Sequence, residues 1–320
     1  MKKSAILVFA AALLLSACAG SGGRAKDEGH TGAPAEQNVG MGGLQYAYLP
    51  PQPPAMVPDG DKQAYMRDHF WDKFDFADTL FVARADTTAM LQSFALYVAY
   101  FAEPDNPVPF ANLMRRASAS KRMFDYFVML AQEVLHDPNS PLRNDELYIP
   151  VLEAQLSVPF YDEYERMAPA YELRIVQQNR IGRRANDFRY TVASGRTSNL
   201  YSLAADYVLI FINNPGCPMC REIQNAITAS TLLTDLQRNG RLKVLAIYPD
   251  RDLEAWREHA PGMPAGWINA YDKDCVIEEK GLYNLRAIPA MYLLDADKRV
   301  LIKDSTSVEE IEYMLASQLM

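Results

Sequence analysis

The sequence predicts an α/β domain, a central sheet flanked by helices, preceded by a smaller all-α domain. Three observations predict it. From about residue 62 to 179, apolar residues recur at three- and four-residue steps, as on helices that bury one face. Beyond Gly182, short apolar runs alternate with helical patterns, which reads as a predominantly parallel sheet covered by helices. The length of 320 residues exceeds one ordinary domain and allows two.

In the first of these stretches, residues 62–180, Phe124, Phe127, Val128, Ala131 and Val134 define one amphipathic helix. The run Met90 to Phe101 is apolar on most sides and reads as a buried one. Asn144 caps a helix carrying Leu147, Val151, Leu152 and Leu156, with Pro150 within its first turns, where a missing N–H costs little. Pro169 likewise starts a last helix, Ala170 to Gln178. Breaks at Pro104-Asp-Asn-Pro107 and Asp137-Pro-Asn-Ser-Pro141 are turn signals, so the count is four or five helices. The aromatic and acidic run from His69 to Asp78 reads as core aromatics with exposed caps.

In residues 181–320 the strand candidates are Asp187 to Val192, Tyr207 to Ile212, Leu242 to Tyr248, Ala290 to Leu294 and Val300 to Lys303. Asp295-Ala-Asp-Lys298 joins the last two as a hairpin. Asp252 caps a helix after the third, and Ser307-Val-Glu-Glu310 forms a capping box for the final helix. Cys275 reads as a small buried hydrophobe.

Composition bounds the function. With 49% hydrophobic and 11% aromatic residues the chain can fill real cores, and a net charge of −8 argues against nucleic acid or an anionic membrane surface as a general partner. Residues 1–17 have the parts of a secretory leader: Lys2 and Lys3, an apolar run from Ala5 to Leu15 too short to span a bilayer, then small residues. Leu15-Ser16-Ala17-Cys18 resembles the bacterial lipobox, which implies lipid on Cys18, attachment to a membrane through it, and a periplasm-facing lipoprotein of the cell envelope. Ala19 after the cysteine points to the outer membrane. Residues 18–61, rich in Gly, Ala, Ser and Pro, read as a flexible tether. The remaining cysteines, Cys217, Cys220 and Cys275, then face an oxidising space in which dithiols are structural or redox-active.

The strand Tyr207 to Ile212 runs through Asn213-Asn-Pro-Gly into Cys217-Pro-Met-Cys220, followed by a helical pattern from Glu222 to Leu236. Cys217 therefore sits at a helix N-terminus, where free N–H groups and the helix dipole favour thiolate over thiol. Cys220, one turn in, can close the ring, and Pro218 suits the first helical position. Half a zinc site also reads C-x-x-C, but the further ligands it needs, Cys275 and His259, lack paired spacing; no metal and no cofactor is expected.

These residues resemble the thioredoxin superfamily, and its TlpA-like branch of envelope thiol-disulfide oxidoreductases in particular, over about Ile181 to Met320. Gly182-Arg-Arg-Ala-Asn-Asp-Phe188 is similar to that branch's opening segment, with Asn186 where Pro is usual. Ala287-Ile-Pro-Ala-Met-Tyr-Leu-Leu-Asp295 matches the segment whose Pro faces the dithiol. The resemblance implies a mixed sheet, a cis Ile288–Pro289 bond, catalytic Cys217 and Cys220, and client contacts at Ile288, Pro289, Pro218 and Met219. It further implies client proteins with disulfides or thiols as partners and a membrane electron donor upstream. Two positions depart from the family. Gly216 stands where many thioredoxins have Trp, and Phe211 where thioredoxin has a buried Asp; Glu222 and Asp187, which could replace it, read as solvated carboxylates. Residues 62–180 resemble an N-terminal domain of unknown function fused to thioredoxin-like lipoproteins. Two other functions fit less well: a non-catalytic scaffold with a vestigial dithiol, and a thiol peroxidase, which the Asn-Pro-Gly before Cys217 disfavours.

Overall fold

The computed structural model describes residues 48–319. The leader, Cys18 and the tether up to residue 47 lie outside the described residues.

Seven α-helices build the N-terminal part: α1 (Lys62–His69), α2 (Phe81–Arg84), α3 (Thr87–Tyr100), α4 (Val108–Ala117), α5 (Lys121–Ala131), α6 (Asp145–Ser157) and α7 (Glu163–Val176). The excess over four or five consists of short helices, α2 having only four residues, on which apolar periodicity has no room to register. Side-chain oxygens of Asp86, Ser120, Asn144 and Asp162 cap four N-termini by accepting backbone N–H bonds. A π-helical turn, Gln132–His136, extends α5. Trp71 and Phe127 centre an aromatic core, their rings 5.5 Å apart edge to face.

Both prolines are placed differently from the expectation. Asp162 and Glu165 form a capping box that starts α7 well ahead of Pro169, which lies inside the helix. Pro150 is likewise interior to α6, and buried, beyond the first four N–H groups whose absence is free. The tether also ends earlier than Asp61. Tyr48 stacks on Trp71 at 5.1 Å and donates its hydroxyl to the Phe70 carbonyl at 2.6 Å, so the stretch from Tyr48 belongs to the helical core.

The C-terminal part holds β1 (Arg189–Val192), β2 (Thr197–Asn199), β3 (Tyr207–Ile212), α8 (Pro218–Ala229), α9 (Thr231–Arg238), β4 (Leu242–Tyr248), α10 (Leu253–His259), β5 (Ile268–Tyr271), α11 (Val276–Glu279), β6 (Ala290–Asp295), β7 (Val300–Ser305) and α12 (Val308–Leu319). The strands form one sheet in the order β2-β1-β5-β4-β3-β6-β7. Only β3–β4 and β4–β5 are parallel. The sheet is therefore mixed, as the family resemblance implies, rather than predominantly parallel as the apolar pattern alone reads, because hairpins supply both edges and β6 enters antiparallel to β3. β2 and β5 were not foreseen; they are three and four residues long and lack a clear apolar alternation.

β3 is buried on both faces. Leu209 and Phe211 pack with α8, α9 and α12, while Val208, Ile210 and Ile212 pack with Phe188, Tyr190 and Ile277 on the opposite side. The helical run expected from Glu222 to Leu236 is two helices, broken at Ser230, whose hydroxyl caps α9. Ser307 caps α12 as expected, accepting from the Glu310 N–H, but the Glu310 carboxylate binds the Ser305 hydroxyl instead of closing the box.

A polar seam joins the helical part to the sheet. Lys303 on β7 reaches the Asp145 carboxylate and the Val176 carbonyl, both at 2.6 Å, and Arg143 pairs with Asp304. Arg286 donates to the Nε2 and carbonyl oxygen of His136. Gly281 lets the sheet side approach α7: its φ is +57°, and an added Cβ would lie 2.7 Å from Ile175 Cδ1. Burial pushes the Asp304 carboxyl up to about 6, against the pull of Arg143, Lys303 and Arg286 and with the push of Asp145. Burial and the Arg286 charge hold His136 down at about 4, so it is neutral at neutral pH.

Two predictions follow from this packing. Tyr48→Ala should lower unfolding free energy by about 2 kcal/mol in urea melts, through a lost hydrogen bond and ring contact, whereas Met56→Ala, at an 88% exposed position, should change it by less than about 0.5 kcal/mol. Asp304 keeps its proton in the folded chain to about pH 6 but loses it near 3.8 when unfolded, so its contribution to stability is full at low pH and fades as pH rises between those values. The stability of Asp304→Asn relative to wild type should thus increase across that window, by up to about 3 kcal/mol, and stay level above it.

Candidate functional site

The register of β3 with β6 sets the site. Ile212, the last residue of β3, pairs with Ala290, the first of β6, so the loop leaving one strand and the loop entering the other lie at the same end of the sheet. The first loop carries Cys217 and the second Pro289. Both Cys217 and Ile288 pack against the core on the α8 face. The Ile288–Pro289 bond is cis.

Cys217 is the N-cap of α8, and its Sγ accepts the Cys220 N–H at 3.1 Å. Pro218 occupies the first helical position, as expected. The two cysteines are joined as a disulfide with Cα atoms 5.3 Å apart. Cys217 is half-buried, Cys220 buried, Pro218 exposed and Met219 51% exposed, so the outer sulfur and the two intervening residues face solvent. Pro289 is buried and Ile288 half-buried. The structure thus gathers Cys217, Pro218, Met219, Cys220, Ile288 and Pro289 at one sheet end.

The turn before the dithiol is locked by its own residues. Asn213 is buried and donates its N–H to the Ile247 carbonyl at 3.1 Å and its side-chain amide to the Phe211 carbonyl at 3.1 Å. Gly216 has φ +74°, a left-handed conformation that explains why no Trp stands there: a side chain would strain the backbone even though a Cβ would meet open space. Phe211 is buried and set edge-on to Trp267 at 5.9 Å, giving the dithiol an apolar floor where thioredoxin has Asp. Neither replacement acid reaches it. The Asp187 carboxylate is held by Asn199 and the Tyr201 N–H, and Glu222 is exposed.

Cys275 is a free, buried thiol among the described residues, and burial pushes its pKa up. Among the described residues no cluster of three or more His, Cys, Asp or Glu side chains could hold a metal ion. Two neighbours of the site escaped the sequence reading. Asn214 presents a buried side-chain oxygen with no partner in the loop before the dithiol, although Asn213-Asn-Pro-Gly signalled only a turn. Arg286, three residues ahead of Pro289, ties that loop to His136; nothing in the sequence signals so long-range a pair.

A solved thioredoxin-like protein from Bacteroides caccae is 39% identical to this chain, with a TM-score of 0.79 over 84% of this chain and 98% of that one. The chain belongs to the thioredoxin-like proteins. Its N-terminal part is a DUF5106 domain, a domain of unknown function whose family matches residues 23–179. A C-terminal domain of an uncharacterised protein from Bacteroides fragilis is 46% identical over 43% of this chain and 98% of that one, with a TM-score of 0.42. A conserved protein of unknown function from Bacteroides fragilis is 38% identical over 42% of this chain and 98% of that one, with a TM-score of 0.41. No curated protein matches the chain. Membership of the thioredoxin-like proteins supports a redox-related function.

Gly216→Ala should destabilise the oxidised protein by about 1 kcal/mol, from the left-handed backbone alone; thermal melts of both redox forms measure it. No loss in either form would show that the turn can rearrange.

Proposed function

We propose that the protein is an envelope thiol-disulfide oxidoreductase that exchanges disulfides with client proteins through Cys217 and Cys220. The observation that carries this reading is the placement of Cys217 Sγ at the N-cap of α8, half-exposed and accepting the Cys220 N–H, beside the Ile288–Pro289 loop. Backbone donors and the helix dipole at that point favour a thiolate once the pair is reduced.

In the reducing direction the Cys217 thiolate attacks one sulfur of a client disulfide, forming a mixed disulfide while the other client sulfur leaves as a thiolate and takes up a proton. Cys220, deprotonated in turn, attacks Cys217 Sγ and releases the second client thiolate. Two electrons pass to the client, and the dithiol becomes the disulfide present in the structure. A membrane electron donor of the dithiol class then restores the reduced pair. The oxidising direction runs the same bonds in reverse. The lipobox-like Leu15-Ser16-Ala17-Cys18 supports a periplasm-facing chain held to a membrane by lipid on Cys18, most simply at the outer membrane. Ile288, Pro289, Pro218 and Met219 contact the client strand in this reading.

Cys220→Ser should leave clients covalently attached to Cys217 in intact cells, seen as reductant-sensitive adducts on gels. Cys217→Ser should abolish them. In glutathione or dithiothreitol buffers the purified chain should behave as a reversible two-electron couple, with a potential near or below about −270 mV marking a reductant and one near about −120 mV an oxidant. A pair that stays oxidised against strong reductant, with no trapped client, would leave only a scaffold role.

A further inference from the structure

Helix α7 displays large apolar side chains that it does not bury. Tyr164, Met167 and Tyr171 are 83%, 66% and 57% exposed. Their spacing of three and four residues sets them along one face, over about 10 Å at 1.5 Å per residue. One exposed apolar residue needs no explanation, whereas three in line form a patch.

The stripe ends at a cleft of about 350 Å³. Tyr171, Ile175 and Val176 of α7 line one side of it, and Tyr283, Leu285 and Arg286 the other. The second wall is the segment that leads into Ile288–Pro289. That segment is held in place: the Asn284 amide donates to Asp304 at 3.0 Å, the Arg286 N–H to the Asn284 side chain at 3.0 Å, and the Arg286 guanidinium to His136. An extended chain advances about 3.3 Å per residue, so a strand lying beside Ile288 reaches the level of Arg286 within about two residues. The wall of the cleft therefore ends at Arg286, two residues along the chain from Ile288 and the loop beside the dithiol.

We propose that this stripe and cleft bind the client: an extended polypeptide with aromatic or aliphatic side chains a few residues from the cysteine that Cys217 attacks. The inference rests on exchange chemistry at Cys217 and adds to it a recognition surface supplied by the helical part of the chain. Two observations select the occupant. The wall of the cleft leads within two residues into the Ile288–Pro289 loop, where the client strand must lie, and the cleft has room for one or two side chains rather than for a helix. The Glu172 and Glu278 carboxylates line it with the Arg286 guanidinium, and the Arg174 guanidinium lies over the Tyr171 ring and beside Gly281, so the charges around the cleft balance and it suits neutral, apolar segments.

The test uses the full chain, a synthetic peptide disulfide with Phe and Leu placed three and six residues from its cysteine, and glutathione disulfide as a substrate too small to reach α7. The double variant Met167→Ala, Tyr171→Ala alters only exposed side chains. It should lower kcat/KM for the peptide about tenfold, through KM, and leave glutathione exchange unchanged. Equal peptide rates in variant and wild type would overturn the proposal, as would a wild-type dimer that the double variant disperses in sedimentation, since the stripe would then be a contact between copies. If wild type turns over neither disulfide, exchange itself falls, and fluorescence anisotropy of the labelled peptide on a Cys217→Ser, Cys220→Ser chain decides the groove separately. Binding lost with Met167→Ala, Tyr171→Ala upholds the groove; binding unchanged or absent overturns it.

Discussion

Everything in the C-terminal part is placed by β3. It is paired with β4 on one edge and β6 on the other, and both of its faces are covered, so every side chain from Val208 to Ile212 is buried. A strand so enclosed cannot slip in register, because a shift of one residue would exchange its two faces. The ends of β3 and β6 are thereby fixed relative to each other, and with them the dithiol loop and the loop of Pro289. That closeness follows from the register that sets Ile212 opposite Ala290, with Asn213 fixing the start of the dithiol loop.

The helical part is joined to this scaffold by a polar seam, with Ile175 of α7 packed close to Gly281 beside it. Lys303 and Arg143 face Asp145 and Asp304 across the seam, and Arg286 reaches His136. Such pairs contribute little net stability but demand a particular geometry, so they act to set orientation. Two groups in the seam titrate out of their usual ranges in opposite senses, His136 downward and Asp304 upward. Acidification therefore weakens the contribution of the first while strengthening that of the second.

Much of this was legible in the sequence. Tyr207 to Ile212 and Leu242 to Tyr248 were bounded correctly because buried central strands are continuous apolar runs. Cys217-Pro-Met-Cys220 and Ile288-Pro289 carried the fold and the candidate site together. The failures have physical causes. β5 pairs on both edges yet presents Asn269 and Tyr271 among its four residues, so tertiary pairing rather than local pattern makes it a strand. Pro169 looked like a helix start because local sequence shows a preference and not the capping box at Asp162 that overrides it. Tyr48 sat beside a Pro-rich stretch whose composition hid one aromatic anchor. Arg286 with His136, 150 residues apart, is of the kind that only the folded chain reveals.

Cys275 occupies a left-handed backbone position, φ +52°, at the head of α11, with its sulfur in the interior. Cys217, Cys220 and Cys275 allow three pairings, of which two use Cys275 and span more than fifty residues. Cys217 and Cys220 are separated by a single turn and meet at once. Once the sheet closes over Cys275, the competing pairings would require it to be pulled out of the core, so folding itself selects the Cys217–Cys220 disulfide.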